Sequence, residues 1–226
     1  MEKKEFINFL LGSEALRLQN PDDPEGLFTL KSGRRSPFFM NMGDLNTGAD
    51  LNTLGKAYAS VAYEQWGRGV DVFFGPAYKA IALATATAMQ YNSIYNGEAR
   101  YCADRKEIKD HGDVGGLVGA KLKDGDRVVI IEDVTTSGKS ISEVVPKIEA
   151  AAKVEILGLI VSFDRMEYGK NKDMTALEEI AEEYSIKTYA IASIADALKE
   201  AGLSEEDLDK FRNYYKQYGV EGKFVI

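Results

Sequence analysis

The sequence has a single cysteine, Cys102, and therefore cannot form a disulfide within the chain. One cysteine is compatible with a reducing cytosol, and we expect Cys102 to be a small buried residue beside a strand. No apolar stretch approaches the length of a membrane span, and residues 1–6 lack the apolar core of a signal peptide. These absences predict a cytoplasmic protein without membrane association.

Basic residues are also scarce, with 28 Lys and Arg against 36 Asp and Glu and a net charge of −8. Binding to nucleic acid without sequence preference depends on basic surface, so this balance argues against a nucleic-acid partner. We expect the cations to act locally instead. The chain length of 226 residues predicts one domain, residues 1–226.

The most informative stretch that is present is 128–140, with the sequence VVIIEDVTTSGKS. Four branched apolar residues predict a strand buried on both faces of a parallel sheet, and a helix follows from Ser140. The loop between them would present backbone N–H groups and a helix N-terminus to a phosphate, and Gly138 lets it close tightly. Glu132 and Asp133 would repel phosphate, so we assign them to sugar hydroxyls, directly or through a divalent cation.

Two other interpretations of this stretch are open. Gly138-Lys139-Ser140 resembles the end of a Walker A loop, but that motif needs a glycine where this chain has Asp133. An ordinary strand–loop–helix turn is the default for an isolated Gly-Ser loop. The paired acids and four hydroxyl side chains disfavour this second interpretation.

Cations also occur at two loops that could meet an anion. Lys79 lies in a tight turn between a predicted strand at 70–75 and an alanine-rich helix, where a cation opposes the helix dipole and so lacks a structural motive. The segment 104–117 is charged, rich in glycine and holds the only histidine, His111. It is either an exposed loop or a flap that closes over a reacting anion.

Arg165 follows another predicted strand, at the edge where ligands bind in open α/β folds. Its planar pair of donors suits a carboxylate, and the alternative is a surface pair with Asp164. Near the N-terminus, strand-like runs on both sides of Ser32-Gly33 predict a hairpin that carries Lys31.

Together these segments resemble one family, the orotate phosphoribosyltransferases among the type I phosphoribosyltransferases. The resemblance covers nearly the whole chain, but Met40 replaces a family phenylalanine that lines orotate. That change is tolerable if the position acts through its main chain, and alters the pocket if it acts by ring stacking. The five similar motifs are FTLKSGRRSP at 28–37, GPAYK at 75–79, RKExKDHG at 105–112, the stretch 128–140 and SFDRxExG at 162–169.

The resemblance implies a reaction, a cofactor and an assembly. The 5-phosphoribosyl group of phosphoribosyl pyrophosphate (PRPP) would pass to orotate, giving orotidine 5′-monophosphate and pyrophosphate in UMP biosynthesis. Mg²⁺ would be bound mainly through PRPP, with Glu132 and Asp133 as candidate protein ligands. The family forms homodimers, in which the loop 105–111 and Lys31 would act in the neighbouring subunit's site.

The residues implied by the resemblance form three groups. Catalytic roles are implied for Lys31, Lys109 and Asp133, and His111 is expected to contact pyrophosphate. Orotate contacts are implied for Lys31, Phe39, Met40, Thr136 and Arg165. PRPP contacts are implied for Tyr78, Lys79, Arg105, Lys106, Lys109, His111, Glu132, Asp133, Val134, Thr135, Thr136, Ser137, Gly138, Lys139 and Ser140.

The predicted fold is α/β, a Rossmann-like, mostly parallel sheet flanked by helices. Residues 1–45 would form a small N-terminal hood over its carboxyl edge, and residues 104–117 a flexible catalytic loop. The predicted strands lie near 70–75, 99–103, 128–132, 155–163 and 188–192.

Two other functions share the central stretch. A purine or uracil phosphoribosyltransferase would not need Arg165 or the Lys31 hairpin. A non-catalytic PRPP-sensing regulator can lose the flap and normally needs a nucleic-acid surface, whereas this chain keeps the flap and is acidic.

Overall fold

A computed structural model describes residues 1–30, 33–106, 116–135 and 138–226 of the chain. Within these ranges, strands and helices alternate after the N-terminal hood, which confirms the predicted α/β class. No helix in the same ranges combines the length and the apolar character needed to cross a membrane.

The hood consists of one helix and two short antiparallel ribbons. Its elements are α1 (Lys3–Gly12), β1 (Leu16–Leu18), β2 (Phe28–Thr29), β3 (Arg35–Ser36), β4 (Phe38–Met40) and a 3₁₀ helix (Met42–Asp44). The pairing of β2 with β3 is the predicted hairpin, whereas the pairing of β1 with β4 was not predicted. Phe6, Ile7 and Leu10 on one side of α1 anchor the hood in the core.

The central sheet has six strands, in the order β10-β9-β8-β5-β6-β7. These strands are β5 (Val72–Gly75), β6 (Arg100–Asp104), β7 (Leu117–Gly119), β8 (Arg127–Glu132), β9 (Glu155–Asp164) and β10 (Lys187–Ser193). All neighbours are parallel except β6 and β7. The five predicted core strands are confirmed, and the three-residue β7 is an addition.

Alternation along β8 explains why its sequence is apolar throughout. Val128 and Ile130 enter the hydrophobic core on one face of the sheet, and Val129 and Ile131 enter the core on the other face. A strand buried on both faces has no solvent side for polar residues. Cys102 on β6 is likewise buried, as predicted, and burial raises the pKa of its thiol to about 11.

Helices cover both faces of the sheet. The hood helix α1 packs with α2, α3, α6 and α7 on one core, while α4 and α5 cover the other. These further helices are α2 (Gly48–Trp66), α3 (Lys79–Tyr95), α4 (Lys139–Ala151), α5 (Ala176–Tyr184), α6 (Ile194–Ala201) and α7 (Glu205–Tyr218).

The strand order creates a crevice at the carboxyl edge. The chain leaves β5 toward β6 on one side and later returns to β8 on its other side, so the connections diverge between β5 and β8. Ligands of open α/β sheets bind at such a switch point. The hood lies over this edge, because Leu30 and Asn41 line one cavity together with Asp133.

The segment between β6 and β7 is one residue shorter at each end than the predicted loop 104–117. Asp104 is the last residue of β6 and Leu117 the first of β7, and their strands pair antiparallel. Residues 107–115 lie outside the described ranges, so the predicted flexibility stays a prediction.

Candidate active site

A cavity of about 640 Å³ lies at the carboxyl edge of the sheet, beneath the hood. It brings together six of the predicted site residues, namely Lys79, Asp133, Val134 and Thr135 from the PRPP set and Met40 and Arg165 from the orotate set. These residues follow three separate strands or belong to the hood. They meet because parallel strands have their carboxyl ends at the same edge of the sheet.

Glu132 and Asp133 are held in place by their backbones. Tyr58 of α2 donates its hydroxyl to the Glu132 carbonyl at 2.6 Å, and Ser162 of β9 donates both its hydroxyl and its N–H to the Asp133 carbonyl at 2.6 and 2.9 Å. The two acids have different environments, because Glu132 is only 7% exposed whereas Asp133 lines the cavity.

The buried carboxyl of Glu132 has a raised pKa. Burial raises the pKa of its carboxyl to about 7, and the charge of Asp133 adds to the rise, while the Ser140 hydroxyl opposes it. A carboxyl that titrates near neutrality changes charge easily when a cation or a hydroxyl donor arrives.

Lys79 reaches the same acid pair from the turn after β5. Its Nζ lies 3.5 Å from Asp133 Oδ2, and its side chain is 68% exposed. The turn is tight, because a Cβ on Gly75 would lie 2.1 Å from the Ala80 carbonyl oxygen. The Ala77 N–H is fixed by Asp104 Oδ1 at 2.7 Å. The start of α3 thus presents a largely exposed cation beside Asp133.

The loop after β8 leads into α4 through a left-handed residue. Gly138 has φ +66° and donates its N–H to Thr135 Oγ1 at 3.2 Å. Helix α4 then begins at Lys139, so its first N–H groups and the positive end of its dipole lie at this loop. Thr136 and Ser137 of this loop lie outside the described residues, so the predicted phosphate site stays a prediction.

A second cavity of about 250 Å³ lies at the N-terminus of α4. Lys106, Lys139 and Ser140 line it, together with Ala77 from the turn after β5. The structure thus places two lysines from different predicted motifs around one space. An anion there would meet both lysines and the helix terminus, together with the carboxylates of Asp104 and Glu143, which line the same space.

Tyr78 and Arg105 lie at the margins of this region. The Tyr78 ring is 65% exposed, and Lys106 Nζ lies 5.6 Å from its centroid. Arg105 lines a third cavity, of about 580 Å³, between β7 and α4. Arg105 therefore lines a different cavity from its neighbour Lys106.

Arg165 is bound by a carboxylate that was not singled out as a site residue. Glu167 Oε1 accepts bonds from Arg165 Nη2 at 2.5 Å and Nε at 3.0 Å, and both residues are 9% exposed. The alternative pair with Asp164 is not formed, because Asp164 Oδ1 accepts the Met166 N–H. Arg165 nevertheless lines the main cavity, as predicted.

Arg34 is a second cation on this side of the cavity. Its Nη1 lies 3.1 Å from Glu167 Oε2, and its guanidinium carbon lies 4.7 Å from the centre of the Tyr218 ring. The signal for Arg34 in the sequence is weak, since an arginine beside a hairpin turn is usually exposed. The contact joins residues 133 positions apart and depends on how the hood docks.

Strand β4 presents alternate residues to opposite sides. Phe38 is buried and Met40 lines the cavity, whereas the Phe39 ring stacks on Phe28 with centroids 5.7 Å apart and is not among the lining residues. The orotate contact implied for Phe39 stays a prediction. Five implied residues lie outside the described ranges, namely Lys31, Lys109, His111, Thr136 and Ser137.

Within the part of the chain that the structure describes, no group of three His, Cys, Asp or Glu side chains could hold a metal ion. Mg²⁺ usually binds one or two carboxylates plus substrate phosphates, and does not need an all-protein cage. The adjacent Glu132 and Asp133, one of them on the cavity, fit that mode.

Comparison with known proteins gives a consistent result. A phosphoribosyl transferase domain matches residues 45–192. The chain is 50% identical to an orotate phosphoribosyltransferase of Agathobacter rectalis, over 97% of this chain and 98% of that protein. It is 43% identical to one of Clostridium acetobutylicum, with the same coverage.

A solved structure extends the agreement to the fold. The crystal structure of an orotate phosphoribosyltransferase from Francisella tularensis matches with a TM-score of 0.80 and 36% identity, covering 95% of this chain and 99% of that chain. Together with the cavity at the carboxyl edge and Asp133, which lines it, these matches show that the chain belongs to the orotate phosphoribosyltransferase family.

Proposed function

We propose that this protein transfers the 5-phosphoribosyl group of PRPP to orotate, releasing pyrophosphate and forming orotidine 5′-monophosphate for UMP synthesis. The observation that carries this proposal is that two chemically different sets of residues line one cavity. Asp133, Lys79 and Thr135 form one set, and Arg34 and Arg165 form the other. A phosphorylated sugar and an anionic base would be bound side by side.

The ribose end uses the acid pair. Asp133 accepts sugar hydroxyls from the cavity, and Glu132 supports it from the buried side. In the reaction the bond from the anomeric carbon to pyrophosphate breaks, and a bond to the orotate ring nitrogen forms as that nitrogen loses its proton. The sugar becomes positively charged as the leaving group departs, and the nearby carboxylates stabilise that charge.

The phosphate groups are met by amides and cations. Thr135 to Ser140 bind the 5′-phosphate at the N-terminus of α4, and Lys79 and Lys106 bind the pyrophosphate. Lys79, at the start of α3, lies 3.5 Å from Asp133, and Lys106 lines the smaller cavity at the N-terminus of α4. As the pyrophosphate leaves, these cations stabilise its growing negative charge.

Mg²⁺ would be held by PRPP oxygens together with Asp133 and Glu132. When bound, it neutralises charge that accumulates on the leaving pyrophosphate. Lys109 and His111 of the loop belong to the same proposal and would close over the pyrophosphate, excluding water. Lys31 would contact the substrates from the hood.

The orotate end distinguishes this function from its rivals. A carboxylate-bearing base gains from Arg165, whereas uracil and the purines have no carboxylate to offer it. A regulator without catalysis has no need of such a base site. The orotate function is therefore the one that uses every part of the cavity.

The test is to mix the protein with orotate, PRPP and Mg²⁺ and to follow the loss of orotate absorbance. Equal amounts of orotate consumed and pyrophosphate formed are expected, with no reaction when PRPP is omitted or Mg²⁺ is chelated. Uracil, hypoxanthine and adenine serve as matched competing bases. Consumption of one of these bases instead of orotate would contradict the proposal.

The proposal includes a homodimer in the cytoplasm, in which the loop 105–111 acts in the neighbouring site. Mixing inactive Lys109→Ala and Asp133→Asn chains under exchange conditions tests this assembly. Random pairing should restore about a quarter of wild-type activity, because half of the dimers then contain one intact site of two. No recovery despite subunit exchange would mean that each loop serves its own subunit.

A further inference from the structure

Glu167 is bonded by side chains from three separate parts of the chain. Its Oε1 accepts bonds from Arg165, after β9, and from the Tyr214 hydroxyl of α7 at 2.8 Å. Its Oε2 accepts a bond from Arg34 of the hood at 3.1 Å. One carboxylate thus joins the sheet edge, the C-terminal helix and the hood at a wall of the main cavity.

The cluster carries an excess of positive charge. Two guanidinium groups share one carboxylate, and all three residues line the cavity. Asp164 lines it too, and Lys170 adds a further cation, so this part of the lining holds three cations and two carboxylates. A partly buried site with one unmatched cation is stabilised by an anionic ligand.

The guanidinium group of Arg165 is held by hydrogen bonds along one edge and by an aromatic ring against one face. Its Nε and Nη2 donate to Glu167, and its guanidinium carbon lies 4.4 Å from the centre of the Phe38 ring. Within the described residues its Nη1 makes no hydrogen bond. Rotation about the long side chain is therefore restricted, and the remaining donor has a defined direction.

Arg34 is held in a similar way from the opposite side. Its Nη1 donates to Glu167, and its guanidinium carbon lies 4.7 Å from the centre of the Tyr218 ring and 5.7 Å from that of Tyr168. Its side chain remains 31% exposed. The residue can therefore be changed without opening a cavity in the core.

We propose that Arg34 is a second specificity-determining residue for the anionic base, and that Glu167 is the positioning residue that holds Arg34 and Arg165 as a pair. This inference rests on the proposed function, because the anion it explains is the carboxylate of the pyrimidine. In chemical terms, the two arginines favour a base that carries a carboxylate over the same base without one, because Glu167 balances the charge of only one of them.

The experiment compares Arg34→Gln, Glu167→Gln and Glu167→Asp with Arg35→Gln as a matched control. Arg35 is the next residue in the hairpin, but it pairs with Asp23 and Glu25 and does not line the cavity. For each protein, kcat and KM are measured for orotate and PRPP, together with the rate for uracil in place of orotate.

Arg34→Gln should raise the orotate KM by about tenfold, the typical effect of removing one charged hydrogen bond, while the PRPP KM changes by less than about twofold. Its preference for orotate over uracil should fall by a similar factor. Glu167→Gln should likewise raise the orotate KM and leave the PRPP KM nearly unchanged. The orotate KM of Glu167→Asp should lie between those of the wild type and Glu167→Gln. Arg35→Gln should match the wild type.

An unchanged orotate KM in folded Arg34→Gln overturns the inference, as does an equal rise in both KM values. If Glu167→Gln does not fold, the variant of the partly exposed Arg34 still decides the question. Failure of the proposed function is a separate outcome, since the wild type itself would then not consume orotate.

Discussion

Asp104, at the end of β6, forms a salt bridge with Lys147 of α4 and also accepts the backbone N–H of Ala77 at 2.7 Å. Asp104 is only 4% exposed. Two oxygens of one buried carboxylate therefore connect α4 to the turn that carries Lys79. The position of Lys79 depends on this contact, and Asp104 lines the smaller cavity at the N-terminus of α4 but not the main one.

Replacing Asp104 by alanine should release this turn. We expect the PRPP KM to rise by about tenfold, with a smaller change for orotate, because Lys79 loses its fixed backbone. Stability should fall by about 1–3 kcal/mol, the cost of leaving a buried donor without its partner. Steady-state kinetics and urea unfolding measure the two effects.

Asp126→Ala is the matched control for this variant. Asp126 is 8% exposed, pairs with Arg100 and accepts the Lys123 N–H at 2.8 Å, but it lies at the opposite edge of the sheet. It should lose similar stability with an unchanged PRPP KM. Equal kinetic losses in both variants would show a general effect of destabilisation.

Glu132 should make stability depend on pH near neutrality. Burial raises the pKa of its carboxyl from the ordinary 4.5 to about 7, so between these values the folded state holds a proton that the unfolded state releases. Stability then falls as pH rises through this range. The full shift corresponds to a loss of about 3 kcal/mol, an upper figure for one site.

Glu132→Gln should remove this dependence. The variant should gain stability relative to the wild type between about pH 5 and pH 8, by up to about 3 kcal/mol, because it has no charge to bury. Unfolding by urea at each pH is the measurement, and Glu143→Gln, at an exposed residue of α4, is the control. Parallel pH profiles for wild type and Glu132→Gln would exclude Glu132 as the source.

The sequence predicts the parts of the fold that have a regular residue pattern, namely the buried strands and the helices between them. The apolar run in β8 indicates a strand buried on both faces, and parallel strands bring their carboxyl ends to one edge. Asp133 after β8, Lys79 after β5 and Arg165 after β9 can therefore be placed together from the sequence alone. Strand β7 was not predicted, because three residues are too few to show periodicity.

Contacts between distant segments could not be predicted in this way. Arg34 meets Glu167 only because the hood docks over the sheet edge, and no local pattern encodes that docking. The side of β4 that faces the cavity was equally undetermined. Alternation puts Phe38 and Met40 on one side and Phe39 on the other, but only the packed structure shows which side faces the substrates.

Asp133→Asn should impair PRPP use without unfolding the protein. Asparagine keeps an oxygen for the Val134 N–H, which Asp133 Oδ1 accepts at 2.7 Å, but it removes the charge that faces Lys79. We expect kcat/KM for PRPP to fall by about a hundredfold, as is typical when a charged group that stabilises the transition state is removed. Steady-state kinetics with varied PRPP measure this fall.

A double-mutant cycle with Lys79→Met separates the charge of Asp133 from its pairing with Lys79. If the two residues act together on PRPP, their losses should combine to less than their sum. Full additivity would mean that Asp133 and Lys79 contact PRPP independently. Wild-type PRPP kinetics in Asp133→Asn would remove the ribose assignment altogether.

Gly138→Ala tests the loop that leads into α4. Gly138 has φ +66°, and a Cβ there would lie 3.1 Å from Ile180 Cγ1. Alanine should therefore destabilise the protein by about 1–2 kcal/mol, the cost of a left-handed residue with a side chain, and by somewhat more through the contact with Ile180. The PRPP KM should rise as well, because the loop carries the amides proposed to bind the 5′-phosphate.

Gly125→Ala supplies the control, since Gly125 also has a positive φ, +84°, but has no atom within 4 Å of an added Cβ. It lies in the turn before β8, at the edge of the sheet opposite the cavity. It should lose only the stability that a left-handed alanine costs, with unchanged kinetics. Thermal unfolding and PRPP kinetics on both variants separate backbone strain from phosphate binding. A Gly138→Ala protein with an unaltered PRPP KM would mean that this loop does not bind the phosphate.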